Sequence, residues 1–106
     1  NIEYVEAMGN LYKKAGLTGT ALTPVYNQFR QHLCKYLNID IKVNNEDLFA
    51  AINKSFSNVQ SKELISLILD VQKVMKDNTI SKDEMLNYCQ KLNEYRNKGI
   101  KYAERS

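Results

Sequence analysis

Apolar side chains recur at intervals of three and four residues along nearly the whole chain, the spacing of one face of an α-helix. The pattern is densest between Leu64 and Met75, where leucine, isoleucine, valine and methionine follow one another on a single face. Most of the stability of such an amphipathic helix comes from burying that face against its neighbours. The pattern therefore predicts an all-α fold in which the helix carrying this stretch is the most buried.

The apolar pattern is interrupted four times by clusters of glycine, proline, asparagine and serine, which are typical of turns. Helices are predicted over residues 2–15, 23–37, 45–56, 61–76 and 81–98. Residues 17–22 are predicted to be a connection, and alternating apolar and charged residues over 39–43 indicate one short extended segment. A chain of 106 residues buries roughly two-thirds of its unfolded surface. We therefore expect a single domain over 1–106, a compact bundle of about five helices.

The starts of the second and third helices carry capping signals. Thr23 is predicted to be the N-cap of the second helix with Pro24 at its first position, and Thr20 is the alternative cap. Either Asn44 or Asn45 is predicted to cap the third helix, because asparagine accepts a hydrogen bond from the free backbone amides of a first turn. These signals predict the first residues of both helices.

Serine residues are the predicted caps of the last two helices. Ser61 precedes the densest apolar stripe and is the predicted N-cap of the fourth helix. Ser81 is followed three residues later by Glu84, which is the spacing of a capping box. In that arrangement the serine hydroxyl accepts from the glutamate amide while the carboxylate accepts from the serine amide, so the fifth helix is predicted to start there.

Charge and cysteine content narrow the class of protein. The net charge is only +3, which does not indicate a polyanionic partner unless the basic residues cluster on one face. Cys34 and Cys89 show neither a Cys-x-x-Cys motif nor the several paired cysteines of a secreted scaffold, so we expect both to be reduced thiols in a cytosolic domain. The longest apolar stretch, residues 64–71, is far shorter than the roughly 20 residues that span a bilayer.

Catalytic and metal-binding patterns are missing from the sequence. His32 is the only histidine, and an imidazole needs a placed nucleophile or carboxylate to act as a base, so we interpret it as a partly buried structural residue. Cys34 lies two residues later, on another side of the helix, which argues against a Cys–His pair. Cys89 falls on an apolar stripe and is predicted to fill the core. We therefore predict no enzyme, no cofactor and no metal site.

Aromatic and basic residues supply the candidate contacts with a partner. Aromatic side chains dominate the binding energy of protein interfaces, whereas lysine and arginine contact phosphates. The candidates are Tyr12, Tyr36, Tyr102, Lys91, Arg96 and Lys98. Glu94 and Glu104 interrupt the basic residues of the C-terminal region, and no nucleic-acid-binding motif is present. A protein partner is therefore favoured, and a small helical nucleic-acid-binding domain that uses the basic C-terminal helix is the alternative.

Short motifs carry a resemblance to a known family: Gly9-Asn10-Leu11-Tyr12, Gln28-Phe29-Arg30-Gln31-His32-Leu33 and Leu37-Asn38-Ile39-Asp40. They resemble the cytoplasmic C-terminal tail of a family of bacterial membrane proteins, the domain-of-unknown-function family four-three-five-zero. In that family a Gly-x-Leu-Tyr helix follows the last transmembrane helix, and an amphipathic helix comes next. The chain differs from it at Thr23-Pro24, where the family has basic residues. The resemblance implies an interaction or regulatory module on the cytoplasmic side of a membrane-anchored protein, with the membrane segment just before Asn1.

Overall fold

The computed structural model describes residues 19–77 and 80–95. Over these residues the chain forms a 3-10 turn, Gly19–Leu22, and four α-helices, which are α1 (Thr23–Leu37), α2 (Asn45–Ser55), α3 (Asn58–Asp77) and α4 (Lys82–Glu94). The described part contains no strand, so the all-α prediction is confirmed. It holds four helices rather than about five, and the helix predicted over 2–15 lies outside the described residues.

The start of α1 differs from the prediction. Gly19–Leu22, within the predicted connection, is a buried 3-10 turn, with Ala21 3% exposed and Leu22 fully buried. The turn runs directly into α1, so Leu22 is the residue before the helix, has helical dihedral angles, and leaves α1 without a side-chain cap. The predicted caps Thr23 and Thr20 are therefore wrong, because burial of the turn leaves no extended residue to act as a cap. Pro24 does occupy the first turn, as predicted.

The end of α1 is fixed by Asn38, which has a left-handed φ of 59°. Its amide donates to the Lys35 carbonyl at 3.2 Å, and the Ile39 amide donates to the Cys34 carbonyl at 3.0 Å. This pair of hydrogen bonds is a Schellman motif, which terminates a helix where a residue tolerates positive φ. Asparagine tolerates that conformation better than most residues.

The extended segment predicted over 39–43 is wrong. The Val43 amide donates to the Asp40 carbonyl at 3.1 Å, and the Lys42 amide donates to Asp40 Oδ1 at 2.8 Å, so the segment folds into turns. Arg30 then holds the loop onto α1, because its guanidinium donates to the carbonyl of Ile41 at 2.9 Å and to that of Val43. Hydrogen bonds from a distant arginine therefore override the local alternation of apolar and charged residues.

A polar network of Arg30, Tyr26, Gln72 and Asn45 connects α1, α2 and α3. The Tyr26 hydroxyl accepts from Arg30 at 3.3 Å and from the Gln72 side-chain amide at 2.9 Å. Gln72 and Asn45 exchange two hydrogen bonds between their amide groups, at 2.8 and 3.0 Å. Partly buried polar groups that satisfy one another in this way help to fix the relative positions of the elements that carry them.

Two of the three predicted caps on the later helices are confirmed. Asn44 is the N-cap of α2, where its side chain accepts from the Asp47 amide at 2.8 Å. Ser81 and Glu84 form the capping box before α4, with the Glu84 amide 3.1 Å from the serine hydroxyl. The helix itself is described as far as Glu94, short of the predicted end at residue 98, and residues 96–98 lie outside the described part.

The predicted cap of α3 is wrong. The helix begins at Asn58, and the Ser57 hydroxyl accepts from the Gln60 amide at 3.2 Å. Ser61 lies one turn inside the helix and is 1% exposed. Its hydroxyl donates to the carbonyls of Ile52 and Phe56, at 3.3 and 3.4 Å. Ser61 therefore ties the first turn of α3 to the end of α2 instead of capping a helix.

The core receives side chains from the 3-10 turn and from all four helices. Its fully buried large side chains include Leu22, Phe29, Leu33, Leu48, Ile52, Leu64, Ile68, Val71, Met85 and Leu92. The helix α3 contributes more buried residues than any other described element, as the dense stripe predicts. Val74 and Met75, at the end of that stripe, are only partly buried.

Candidate functional site

An open groove of about 670 Å³ lies between α3 and α4. We call it the α3–α4 groove. Its walls are formed by Lys62, Glu63, Ser66, Leu67 and Asp70 from α3, and by Tyr88, Lys91, Glu94 and Tyr95 from the α4 side. The 3-10 turn packs against both helices on the inner side of the fold.

At one end of the groove, Tyr95 lies beside Glu63. The tyrosine hydroxyl donates to Glu63 Oε2 at 3.3 Å across the groove. Burial raises the pKa of Tyr95, and the charges of Glu63 and Glu94 and the hydrogen bond to Glu63 raise it further. The phenol therefore stays protonated at neutral pH and remains a donor to the carboxylate.

At the other end of the groove, Tyr88 and Asp70 line opposite walls. Burial raises the pKa of Tyr88, and the charges of Asp70 and Glu84 add to that shift. The Lys91 ammonium lies over the Tyr88 ring, 5.9 Å from its centroid. An aromatic face at this distance attracts a cation through its quadrupole. The ring therefore presents a surface on which a positive charge is already held.

The charges of the described residues that line the groove are mixed, with a negative excess. Three carboxylates, those of Glu63, Asp70 and Glu94, oppose the two ammonium groups of Lys62 and Lys91. Because the whole chain carries a net charge of +3, the negative excess is a property of this surface and is opposite to that of the protein. A ligand with positive charge is favoured there over a phosphate.

The structure brings one of the predicted partner contacts into the groove. Lys91 lines it, whereas the half-buried Tyr36 packs against Phe56 with ring centroids 5.7 Å apart, at the edge of the core. The remaining candidates lie outside the described residues: Tyr12, Tyr102, Arg96 and Lys98.

Tyr88 and Tyr95 were not among the partner contacts predicted from the sequence. Both are only partly buried, and both line the groove. The signal that would have found them is their spacing of seven residues, which matches the spacing of Glu63 and Asp70 on the neighbouring helix.

The prediction that His32 is a partly buried structural residue is wrong. The side chain is exposed and lines a shallow depression with Gln28, Gln31 and Lys35. The buried face of α1 contains Phe29 and Leu33, and neighbouring residues of a helix point about 100° apart, so His32 falls on the flank. Among the described residues, no group of three or more His, Cys, Asp or Glu is arranged to hold a metal ion.

Both cysteines are free thiols and both are buried. Cys34 lies on another side of α1 from His32, as predicted, and burial raises its pKa although the Arg30 charge acts in the opposite direction. Burial also raises the pKa of Cys89 from 9.0 to about 11. Since the thiolate is the reactive form, these shifts make both residues poor nucleophiles at neutral pH, and Cys89 fills the core as predicted.

Comparisons with protein-family models, with curated proteins and with solved structures find no match to this chain. Among the described helices, none is both long enough and apolar enough to cross a bilayer. The α3–α4 groove is therefore interpreted from its own residues.

Proposed function

We propose that this chain is a non-catalytic protein-interaction module that binds a segment of a partner protein in the α3–α4 groove. The observation that supports the proposal is the groove itself, an open channel between two helices with a tyrosine at each end. Tyrosine is enriched among the residues that dominate protein interfaces, because its ring buries a large area while its hydroxyl keeps a hydrogen bond. A groove between two helices also suits an amphipathic helical segment of a partner.

Charge complementarity defines the chemistry of that segment. Among the residues that the structure describes, Glu63, Asp70 and Glu94 outnumber the lysines of the groove, so the partner segment is basic. The same carboxylates oppose a phosphate backbone, which supports a protein partner over nucleic acid at this surface. The alternative function, nucleic-acid binding through the basic C-terminal helix, involves Arg96 and Lys98, which lie outside the described residues.

We also propose that the module belongs to the cytoplasmic side of a membrane-anchored bacterial protein. The support for this is the resemblance carried by Gly9-Asn10-Leu11-Tyr12 and the two segments that follow it. The unpaired thiols of Cys34 and Cys89 are in keeping with a reducing compartment. Fractionation of cells that express the complete gene product tests this: recovery with the inner membrane and digestion only from the cytoplasmic face is expected, and recovery in the soluble fraction would contradict it.

The binding proposal is tested by titrating the ¹⁵N-labelled protein with two synthetic helical peptides. One contains leucine, alanine and arginine, and in the other glutamate replaces arginine. We expect the basic peptide to shift amide resonances of groove residues such as Ser66 and Lys91, and the acidic peptide to shift them far less. Tyr88→Ala should weaken binding of the basic peptide, whereas Leu69→Ala, at an exposed position outside the groove lining, should not.

Three results would overturn the assignment. The first is the absence of groove shifts at a peptide concentration of about 1 mM, which corresponds to only about 4 kcal/mol of binding free energy. The second is a set of shifts that lie elsewhere on the surface. The third is groove shifts with single- or double-stranded oligonucleotides but not with the basic peptide, which would favour the nucleic-acid alternative. The spectra of Tyr88→Ala also report whether that variant stays folded.

A further inference from the structure

The two walls of the groove carry the same spacing. Glu63 and Asp70 are seven residues apart on α3, and Tyr88 and Tyr95 are seven residues apart on the other wall. The Tyr95 hydroxyl donates a hydrogen bond to Glu63. Tyr88 and Asp70 face the same groove, and the charge of Asp70 acts on the Tyr88 hydroxyl. The two helices are therefore antiparallel, and their pairing creates two similar stations. Seven residues of an α-helix rise about 10.5 Å, which sets the distance between the stations.

Each station combines a tyrosine ring with at least one carboxylate that lines the groove. The first contains Tyr95, Glu63 and Glu94, and the second contains Tyr88 and Asp70. A carboxylate beside an aromatic face is the environment that binds a guanidinium, which stacks on the ring and donates two parallel hydrogen bonds to the carboxylate.

A lysine of the protein itself already lies at the second station. The Lys91 ammonium is 5.9 Å from the centroid of the Tyr88 ring, so this ring face accepts positive charge in the free protein. Between the stations, the floor of the groove is formed by Leu67 and Ser66, which carry no charge. Among the described residues, carboxylates therefore lie at both ends of the groove, and the floor between them is uncharged.

We infer that the groove recognises a helical segment with arginines at positions i and i+7 and an apolar residue between them. The arginines meet the Glu63–Tyr95 and Asp70–Tyr88 stations, and the apolar residue at i+3 or i+4 lies over Leu67. This inference rests on the proposed function and adds to it the spacing of the charges. Arginine at the second station takes the place of the Lys91 ammonium on the Tyr88 ring.

Two helical peptides of identical composition test the spacing. In the first, two arginines are seven residues apart, and in the second they are four apart, on the same face but only about 6 Å from one another. The second peptide reaches one station at a time. An exposed ion pair and a cation–π contact together amount to about a tenfold change in affinity, so we expect the first peptide to bind about tenfold more tightly in a fluorescence anisotropy titration.

Variants at the stations connect that preference to the groove. Glu63 and Asp70 are exposed, so Glu63→Gln and Asp70→Asn should leave the fold intact while the double variant binds both peptides with equal affinity. Glu46→Gln is the matched control, because Glu46 is an exposed carboxylate on α2 outside the groove. Lys91→Gln should tighten binding of the first peptide about twofold to threefold by removing a like charge, since exposed charge interactions contribute up to about that much.

The possible failures can be told apart. Equal affinity of the wild type for the two peptides, with shifts still confined to the groove, would overturn the spacing and leave the protein-interaction proposal standing. A tenfold preference that survives the double variant would overturn the assignment of the stations. Weaker binding by Lys91→Gln, with Lys73→Gln unchanged as an exposed control on α3, would show that Lys91 binds the partner instead of competing with it. Absence of groove binding by either peptide would remove both proposals.

Discussion

Replacing Ile68 by alanine tests whether α3 is the centre of the core. Ile68 is 0% exposed and lies in the middle of the buried face of α3. The substitution removes three carbon groups, which at about 0.8 kcal/mol each accounts for about 2.4 kcal/mol of lost burial. A residual cavity of roughly 50 Å³ adds about 1.2 kcal/mol at 24 cal/mol per Å³. We therefore expect the free energy of unfolding to fall by about 3.6 kcal/mol, within the range of about 2 to 5 kcal/mol found for such substitutions.

Leu69→Ala is the matched control, since it removes the same number of carbons from the next residue of the same helix. Leu69 is 47% exposed and leaves no enclosed cavity, so its loss should be about 1 kcal/mol or less. Urea melts followed by far-ultraviolet circular dichroism measure both values, provided that the slopes of the two transitions agree. Losses for Ile68→Ala and Leu69→Ala that differ by less than about 1 kcal/mol would refute the placement of Ile68 in the core.

Three further predictions concern a cap, a network and a thiol. Ser81→Ala should lower the free energy of unfolding by about 1 kcal/mol and speed hydrogen exchange in the first turn of α4, whereas Ser55→Ala, at an exposed position at the end of α2, should change neither by more than about half as much. A double-mutant cycle of Gln72→Ala and Tyr26→Phe should give a coupling energy of about 1 kcal/mol because their side chains are hydrogen-bonded; additive effects would contradict the network. Because burial raises the pKa of Cys89 from 9.0 to about 11, the stabilisation it provides is complete below pH 9 and is lost as the pH rises through 11. Between pH 8 and pH 10 the wild type should lose about 1 kcal/mol more stability than Cys89→Ala, and parallel losses in the two proteins would show that the thiol titrates normally.

Local signals account for the parts of the fold that the sequence predicts correctly. Asn44 and Ser81 cap their helices through hydrogen bonds to residues only three positions later. A short sequence pattern contains both partners of each hydrogen bond, so the sequence predicts these caps. The apolar stripe around Ile68 is similarly short-ranged, since helical periodicity decides which side chains share a face. The helix over 23–37 was predicted with the bounds that the structure shows.

The errors arise where a distant contact decides the local structure. The glycine and threonines of residues 17–22 are typical of a connection, but Gly19–Leu22 is buried because it packs between α1, α3 and α4. Residues 39–43 fold into turns that Arg30 holds from eleven and thirteen positions away. Ser57 and Ser61 are both residues that can cap a helix. Ser61 is drawn into the helix because its hydroxyl bonds the Ile52 carbonyl at the end of α2, a contact that the local sequence does not show. Periodicity carries no information about such pairings.

The candidate site was less predictable than the fold. Tyr88 and Tyr95 follow the apolar stripe of α4, and nothing in that stripe distinguishes a tyrosine in the core from one at the rim of a groove. The pairing of Tyr95 with Glu63 joins residues 32 positions apart and depends on the register of two antiparallel helices. Both helices pack on the 3-10 turn, so their register depends on contacts that the sequence of either helix alone does not specify.

Helical geometry separates the stabilising residues of α3 from the charged residues of the groove. Leu64 and Val71 are fully buried, while their neighbours Glu63 and Asp70 are exposed on the groove wall. Substitution of an exposed residue away from caps and networks changes stability by no more than about 0.5 kcal/mol. Glu63→Gln and Asp70→Asn should therefore alter peptide affinity at nearly constant stability, and Ile68→Ala should do the reverse. A loss of binding in the groove variants that tracked a loss of stability would mean that the carboxylates support the fold, and that the groove is a consequence of helix packing with no ligand of its own.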